Sequence, residues 1–416
     1  MMRSMFAGVS GLKNHQTRMD VIGNNIANVN TVGFKGSRVN FQDILSQTMQ
    51  GASSGQGARG GTNPMQVGLG MGLASIDTLF TDGSFQPTGK QTDLSIQGSG
   101  FFILSDGANQ VYTRAGAFDF DNQGNFLVPG TGYKVMGWMA DANGNIDTNQ
   151  PTTNIQVPVG SSMAAQKTTD MTFVNNLSSE APIGAGSRVP VSVNAYDAQG
   201  NAHKVSGYFQ KSANNEWKFT VISPADSGAV VAADESDESV IAFDAATGNY
   251  TATGTVIKSI LITPTGSAPA FTVVPDFSAL TQFGGESTVQ ADSNGYASGT
   301  LESKTIDTDG IITGRFSNGQ SMALGRVALA TFNNPSGLNK VGDNMYTQSN
   351  NSGTAQIGPA NTGGRGKFNP GSLEMSNVDL AQEFSNMIIT QRGFQANSKI
   401  ISVSDEMLQE LANLKR

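Results

Sequence analysis

The sequence predicts a mainly β protein with an α-helix at each end. Nested, discontinuous antiparallel β domains are expected to sit beside a coiled-coil-like helical domain built from the two termini. Three observations carry this. Apolar stripes with helical spacing occur only near the ends; the interior is a series of short alternating runs broken by turns; and the chain has 50 Gly but only 14% charged residues. Long surface helices require many charges, whereas short strands joined by tight turns require glycine.

The first element is a helix over residues 3–29, with Ser4 as N-cap. Its stripe runs Met5, Val9, Leu12, Gln16, Met19, Gly23, Ile26, with Ile22 alongside. Asn24, Asn25, Asn28 and Asn30 lower helix propensity, and Gly33 and Gly36 end it. Residues 51–72 hold eight glycines, so 36–74 reads as a compliant connector.

From Ser75 to Thr148 the pattern turns to strands: Leu94–Ile96, Phe101–Leu104, Val111–Thr113, Phe126–Val128 and Tyr133–Met139. An Asp-x-x-Gly unit recurs at Asp121, Asp141, Asp197, Asp292 and Asp307. It is the chemistry of a type I turn closing a three-residue hairpin loop, so the strands are expected to pair antiparallel. Residues 150–285 have their own alternation (Val189–Val193, Val205–Phe209, Trp217–Ile222, Ile257–Ile262, Phe271–Val274) and an acidic cluster at 234–238, read as a solvated loop. They form an inserted outer β domain, leaving 75–149 and 286–357 as one discontinuous β domain. A second Gly-rich connector, 358–371, leads to the C-terminal helix.

That helix carries Leu380, Phe384, Met387, Gln391, Phe394, Ser398, Ile401 and Leu408, with a second stripe of Ile400, Met407, Leu411 and Leu414. Residues 1–35 and 372–416 thus make the terminal helical domain, each end a seam for a partner helix. Residues 1–50 carry five basic and two acidic side chains, and 373–416 four basic and six acidic, so the ends complement each other in charge. A lone helix pair between Gly-rich connectors is marginal. The ends are therefore expected to be disordered in the monomer and to fold on polymerisation. The alternative is that the two helices pack together within one chain.

Little points to chemistry. A net charge of −8 argues against nucleic-acid binding. With no cysteine, disulfides, thiol catalysis and thiolate metal sites are excluded. The two histidines, His15 and His203, lie in different segments and read as structural or solvated. Asp119–Asn125 resembles the start of a calcium loop but lacks the twelfth-position glutamate, Gly130 standing there; a hairpin turn fits better. Gly68-Leu-Gly70-Met-Gly72 lacks a dinucleotide-binding context. No catalytic residue, metal site or cofactor is expected. Neither a Sec-type leader nor a run of the roughly 18–20 apolar residues that span a bilayer is visible.

Asn24-Asn25-Ile26-Ala27-Asn28-Val29-Asn30, followed by Thr31-Val32-Gly33-Phe34-Lys35, resembles the N-terminal signature of bacterial flagellar rod and hook proteins. Gly371-Ser-Leu-Glu-Met-Ser-Asn-Val-Asp-Leu380 and Ile389–Asn397 resemble the C-terminal signature. Gly98–Phe102, Tyr112–Gly116 and Phe332–Leu338 are similar to the β domain. The resemblance implies a tube of subunits whose terminal helices line a channel and whose inserted domain lies outermost. It implies export without a cleaved leader by the flagellar type III apparatus, assembly under a hook cap, and junctions with distal rod and hook–filament junction proteins. The size of the insert favours a hook-type subunit, a universal joint transmitting torque to the filament, over a distal rod subunit. A secreted β-rich adhesin is the reading from another class.

Overall fold

The computed structural model describes residues 2–55, 60–222, 230–233, 238–251, 259–264 and 268–413. Leu414, most of the acidic cluster and part of the strand expected at Ile257–Ile262 lie outside them. Two helices, α1 (Met2–Ala27) and α2 (Leu380–Asn413), bracket a chain of short strands joined by turns and irregular segments. Two compact units result: one of Met1–Val159, Thr305–Thr313 and Met322–Arg416, the other of Gly160–Lys304 and Gly314–Ser321.

In the first unit, the β core is layered about a strand whose residues are all buried, Phe101–Ser105. Successive side chains of a strand point to opposite faces. Phe102 and Leu104 accordingly join Phe118, Phe126 and Phe368 in one apolar cluster. Phe101 and Ile103 join Tyr112, Trp138 and Phe332 in the other. The strand pairs antiparallel with Gln110–Thr113 and Lys134–Met139, and Ser321–Thr331 reaches both it and Lys134–Met139.

The second unit sets two five-stranded sheets around Phe173, Phe209, Trp217, Phe219 and Phe277. One of its pairings is parallel: Asp170–Ser178 against Phe271–Phe283. The expectation of purely antiparallel pairing is corrected there. The residues between those strands are ample for the crossover that a parallel pair requires.

The expected borders also move. Residues 150–159 belong to the first unit, because Ile155 is fully buried in its core and its N–H donates to Val135 O. Residues 286–304 belong to the second, where Gln290–Ser293 pairs with Asp170–Ser178. For the same reason Asp292 opens no hairpin: Asn294 N–H donates to Asp170 O. The other four Asp-x-x-Gly units close as turns, with the Gly N–H of residues 124, 144, 200 and 310 bonded to the Asp carbonyl.

Both connectors contain paired strands. Ser37–Asp43 pairs with Met71–Thr78, and Ser46–Gln50 with Met65–Gly68, making a two-stranded ribbon. Glycines cluster toward its tip while Val39, Phe41, Val67, Leu73 and Ile76 supply strand-forming side chains, so composition alone hid the ladder. At the other connector, Gln356–Pro359 pairs with Ser321–Thr331 and Lys367–Pro370 with Leu94–Gln97. Phe368 there is fully buried.

Candidate assembly interface

The two terminal helices pair within the chain, antiparallel. Gly8 lies against Asn397 and Ile401, Gly11 against Asn397, Gly393 against His15, and Arg18 Nη2 approaches Asn386 Oδ1 at 3.5 Å. The α1 side of this contact is Gly8, Gly11, His15 and Arg18, and Ile22 and Asn25 continue the same three-and-four spacing. A Cβ on Gly11 would sit 2.7 Å from Asn397 Oδ1, so the missing side chains let the backbones approach. On α2, Thr390 Oγ1 and Ser404 Oγ are buried, yet each donates to a carbonyl of its own helix, Asn386 O and Ile400 O. They therefore face a neighbour without needing a partner from it.

The ribbon makes a third wall. Asn14 Nδ2 donates to Met71 O at 2.7 Å, and Phe41 packs edge-on against His15. Burial and the nearby Arg18 guanidinium hold the His15 pKa below its usual value.

Two expectations are thereby corrected. The described residues of both ends, Met2–Ala27 and Leu380–Asn413, are helical in the single chain, where the ribbon and the small-residue contact give α1 a core to touch. Nor is the apolar stripe of α1 the α1–α2 contact. That contact lies one residue away, about 100° around the helix. Of the expected seam residues only Ile22 is buried. Val9 is 48% exposed, Leu380 40%, Phe384 50% and Leu411 49%. Met5, Leu12, Met19, Ile26, Met387, Phe394, Ile401 and Leu408 are intermediate. Phe6, Ile388, Ile389, Ile400, Val403 and Met407 are exposed as well. The pair is closed on its polar, small-residue side and open on its apolar sides.

Beneath the helices the Asn-rich signature acts as a clamp. Asn25 bonds the backbone of Ser37 twice, Nδ2 donating to Ser37 O at 2.8 Å and Oδ1 accepting from Ser37 N–H at 3.0 Å. Asn28 Nδ2 donates to Asn24 O, ending the helix, while Ile26 is half-buried and Ala27 exposed. Gly33 takes φ +68°, and a Cβ there would stand 2.5 Å from Ala115 N. Buried Phe34 lies beneath the Lys340 ammonium, 5.1 Å from the ring centroid.

Lys35 is fully buried and its Nζ sits 2.5 Å from Glu374 Oε1. Arg114 Nη1 reaches Glu374 Oε2 at 3.3 Å, and Gly83 N–H donates to Oε1 at 3.1 Å. Lys35 Nζ also donates to Thr81 O. Burial pushes the Lys35 pKa down, opposed by the Glu374 carboxylate. Asn377 closes the far side, accepting from Gly36 N–H and donating to Leu79 O. Sequence reasoning missed Glu374, Arg114 and Asn377. Their signal is faint: Lys35 is the one charge of the quoted N-terminal signature, and Glu374 shares the quoted Gly371–Leu380 stretch with Asp379.

Elsewhere, His203 Nε2 lies 3.1 Å from Asp197 Oδ2. In the calcium-like loop, Asp121 accepts from the N–H groups of Gln123 and Asn125, and Asp119 pairs with Lys90. Among the described residues, no group of three acidic or histidine side chains is placed to hold a metal, and no helix is long and apolar enough to cross a membrane.

Paired terminal helices with outward apolar faces, a signature clamp and nested β units define an axial, self-assembling subunit, and the chain belongs to the bacterial flagellar rod and hook family. Residues 5–35 match the flagella basal body rod protein family and 369–414 the flagellar basal body rod FlgEFG C-terminal family. Residues 95–172 match the flagellar hook protein FlgE/F/G D1 domain and 186–296 the flagellar basal body protein FlaE D2 domain. The flagellar hook protein FlgE of Borreliella burgdorferi is 42% identical over 100% of both chains. The rod protein FlgG of Bacillus subtilis is 33% identical over 100% of both. The crystal structure of Helicobacter pylori hook protein FlgE2 shares the fold, with TM-score 0.52 and 15% identity over 70% of this chain and 100% of that one. The chain is a structural subunit of the flagellar hook, located outside the cell.

Proposed function

We propose that copies assemble through the outward apolar faces of α1 and α2 into a hollow, bent shaft that passes motor torque to the filament. The observation that carries this is the helix pair itself: already closed on its small-residue side, it keeps Val9, Phe384, Ile388 and Ile389 in water. Burying the exposed half of one such side chain gains on the order of 1 kcal/mol, and a row of them on every copy sums to a stable contact. A head-to-tail contact that does not close on itself generates a helical polymer.

Torque then passes from helices to β core through the Lys35–Glu374–Arg114 clamp, which resists twist because each member is buried and bonded. Bending is assigned to sliding between copies, since both connectors carry paired strands. Export by the type III apparatus suits a chain with no cysteine to cross-link on the way. Hook cap, distal rod and hook–filament junction proteins are the partners at the ends of the tube. The test is sedimentation of Phe384→Asp and Leu380→Asp subunits. Both are expected to stay folded and unpolymerised, and normal tubes from both would refute the reading.

A further inference from the structure

The base of the helix pair holds a cavity of about 290 Å³. Val21, Ile22, Val39, Leu79 and Val378 give it apolar walls, and Glu383 lines it from the first turn of α2. Among the described residues no donor reaches Glu383 Oε2, although that atom is out of solvent. The nearby Arg18 instead directs Nη2 toward Asn386. One oxygen of this half-buried carboxylate therefore lacks a donor, which a cation entering the cavity would supply.

We propose that this cavity is a socket for the amino-terminal turn of α1 from a second copy, with Arg3 of that copy pairing with Glu383. This rests on the assembly reading above. Arg3 is exposed and makes no ion pair among the described residues. It neighbours Phe6, which in turn neighbours Met2; these two are 61% and 53% exposed and match the apolar walls. No acidic residue offsets it in that first turn. The donor is the start of α1, whereas the socket lies beside its end. The contact is therefore head-to-tail and leaves a free socket for the next copy.

The experiment measures the critical concentration for polymerisation of the full chain, with subunit melting recorded in parallel. Arg3→Glu and Glu383→Gln are each expected to raise the critical concentration about tenfold or more, with melting unchanged. Combining Arg3→Glu with Glu383→Lys restores assembly to about the original level. Unchanged assembly in either single variant, or additive losses in the pair, overturns the socket. So does a lowered melting temperature in Glu383→Gln with Arg3→Glu silent, which would make Arg18 the partner. An unaltered chain that never polymerises would instead defeat the assembly reading, and the socket with it.

Discussion

Lys35 Nζ meets Glu374 Oε1 at 2.5 Å across 339 residues of sequence, with both side chains sealed from water. The contact ties the segment leaving α1 to the segment entering α2, so the two ends share one anchor. Glu374→Gln should leave a buried ammonium with neutral oxygen acceptors and no counter-charge. Breaking one side of a buried pair costs about 3–5 kcal/mol. Replacing both with methionine should recover part of the loss, and denaturant unfolding of the single and double variants measures it.

Glycine-to-alanine changes separate backbone demand from propensity. At Gly33 the left-handed φ and the Ala115 backbone 2.5 Å away both oppose a side chain. Gly33→Ala should therefore cost at least about 2 kcal/mol. At Gly23, inside α1, nothing lies within 4 Å of a Cβ. Gly23→Ala should stabilise by about 0.5–1 kcal/mol. Thermal melts of the two variants should move in opposite directions.

The two sides of the helix pair should respond differently. Gly11→Leu forces the helices apart at Asn397 and should lower both subunit melting and assembly. Phe384→Asp changes a half-exposed position, so melting should fall by no more than about 1 kcal/mol while assembly fails. Equal effects on melting would mean that the outward face already has a partner within the chain.

Acid should weaken the second unit through Asp197. Burial alone would raise its pKa; donation from His203, Asn201 and the Gln199 backbone outweighs this and holds it at about 2, against 3.8 unperturbed. A depressed carboxylate stabilises the fold above its unfolded pKa, and that contribution is lost as pH falls from about 4 to about 2. Trp217 is buried in this unit. Its fluorescence in a Trp138→Phe background should show an acid transition in that window, which Asp197→Asn should flatten.

Strand positions, four of the five turns and both helices were legible because period and turn chemistry are local signals. The ribbon was not: Gly-rich composition masks pairing that only the partner strand reveals. The helix contact was missed by one residue because Gly8, Gly11 and His15 carry no apolar signal, while Val9 and Leu12 do. That error is informative, since the conspicuous stripe is the one left partly in water. The clamp was half-visible. Lys35 stood in the signature, but nothing local to it points to Glu374 or Arg114.

Because the chain has no cysteine, Val9→Cys places a unique thiol on the outward face, where Val9 is 48% exposed. The decisive measurement is its alkylation rate in dilute subunits and in polymer. Rapid labelling of the subunit with protection of about tenfold or more on polymerisation is expected. Equal rates in the two states would show that this face stays in water, and the assembly account would fail.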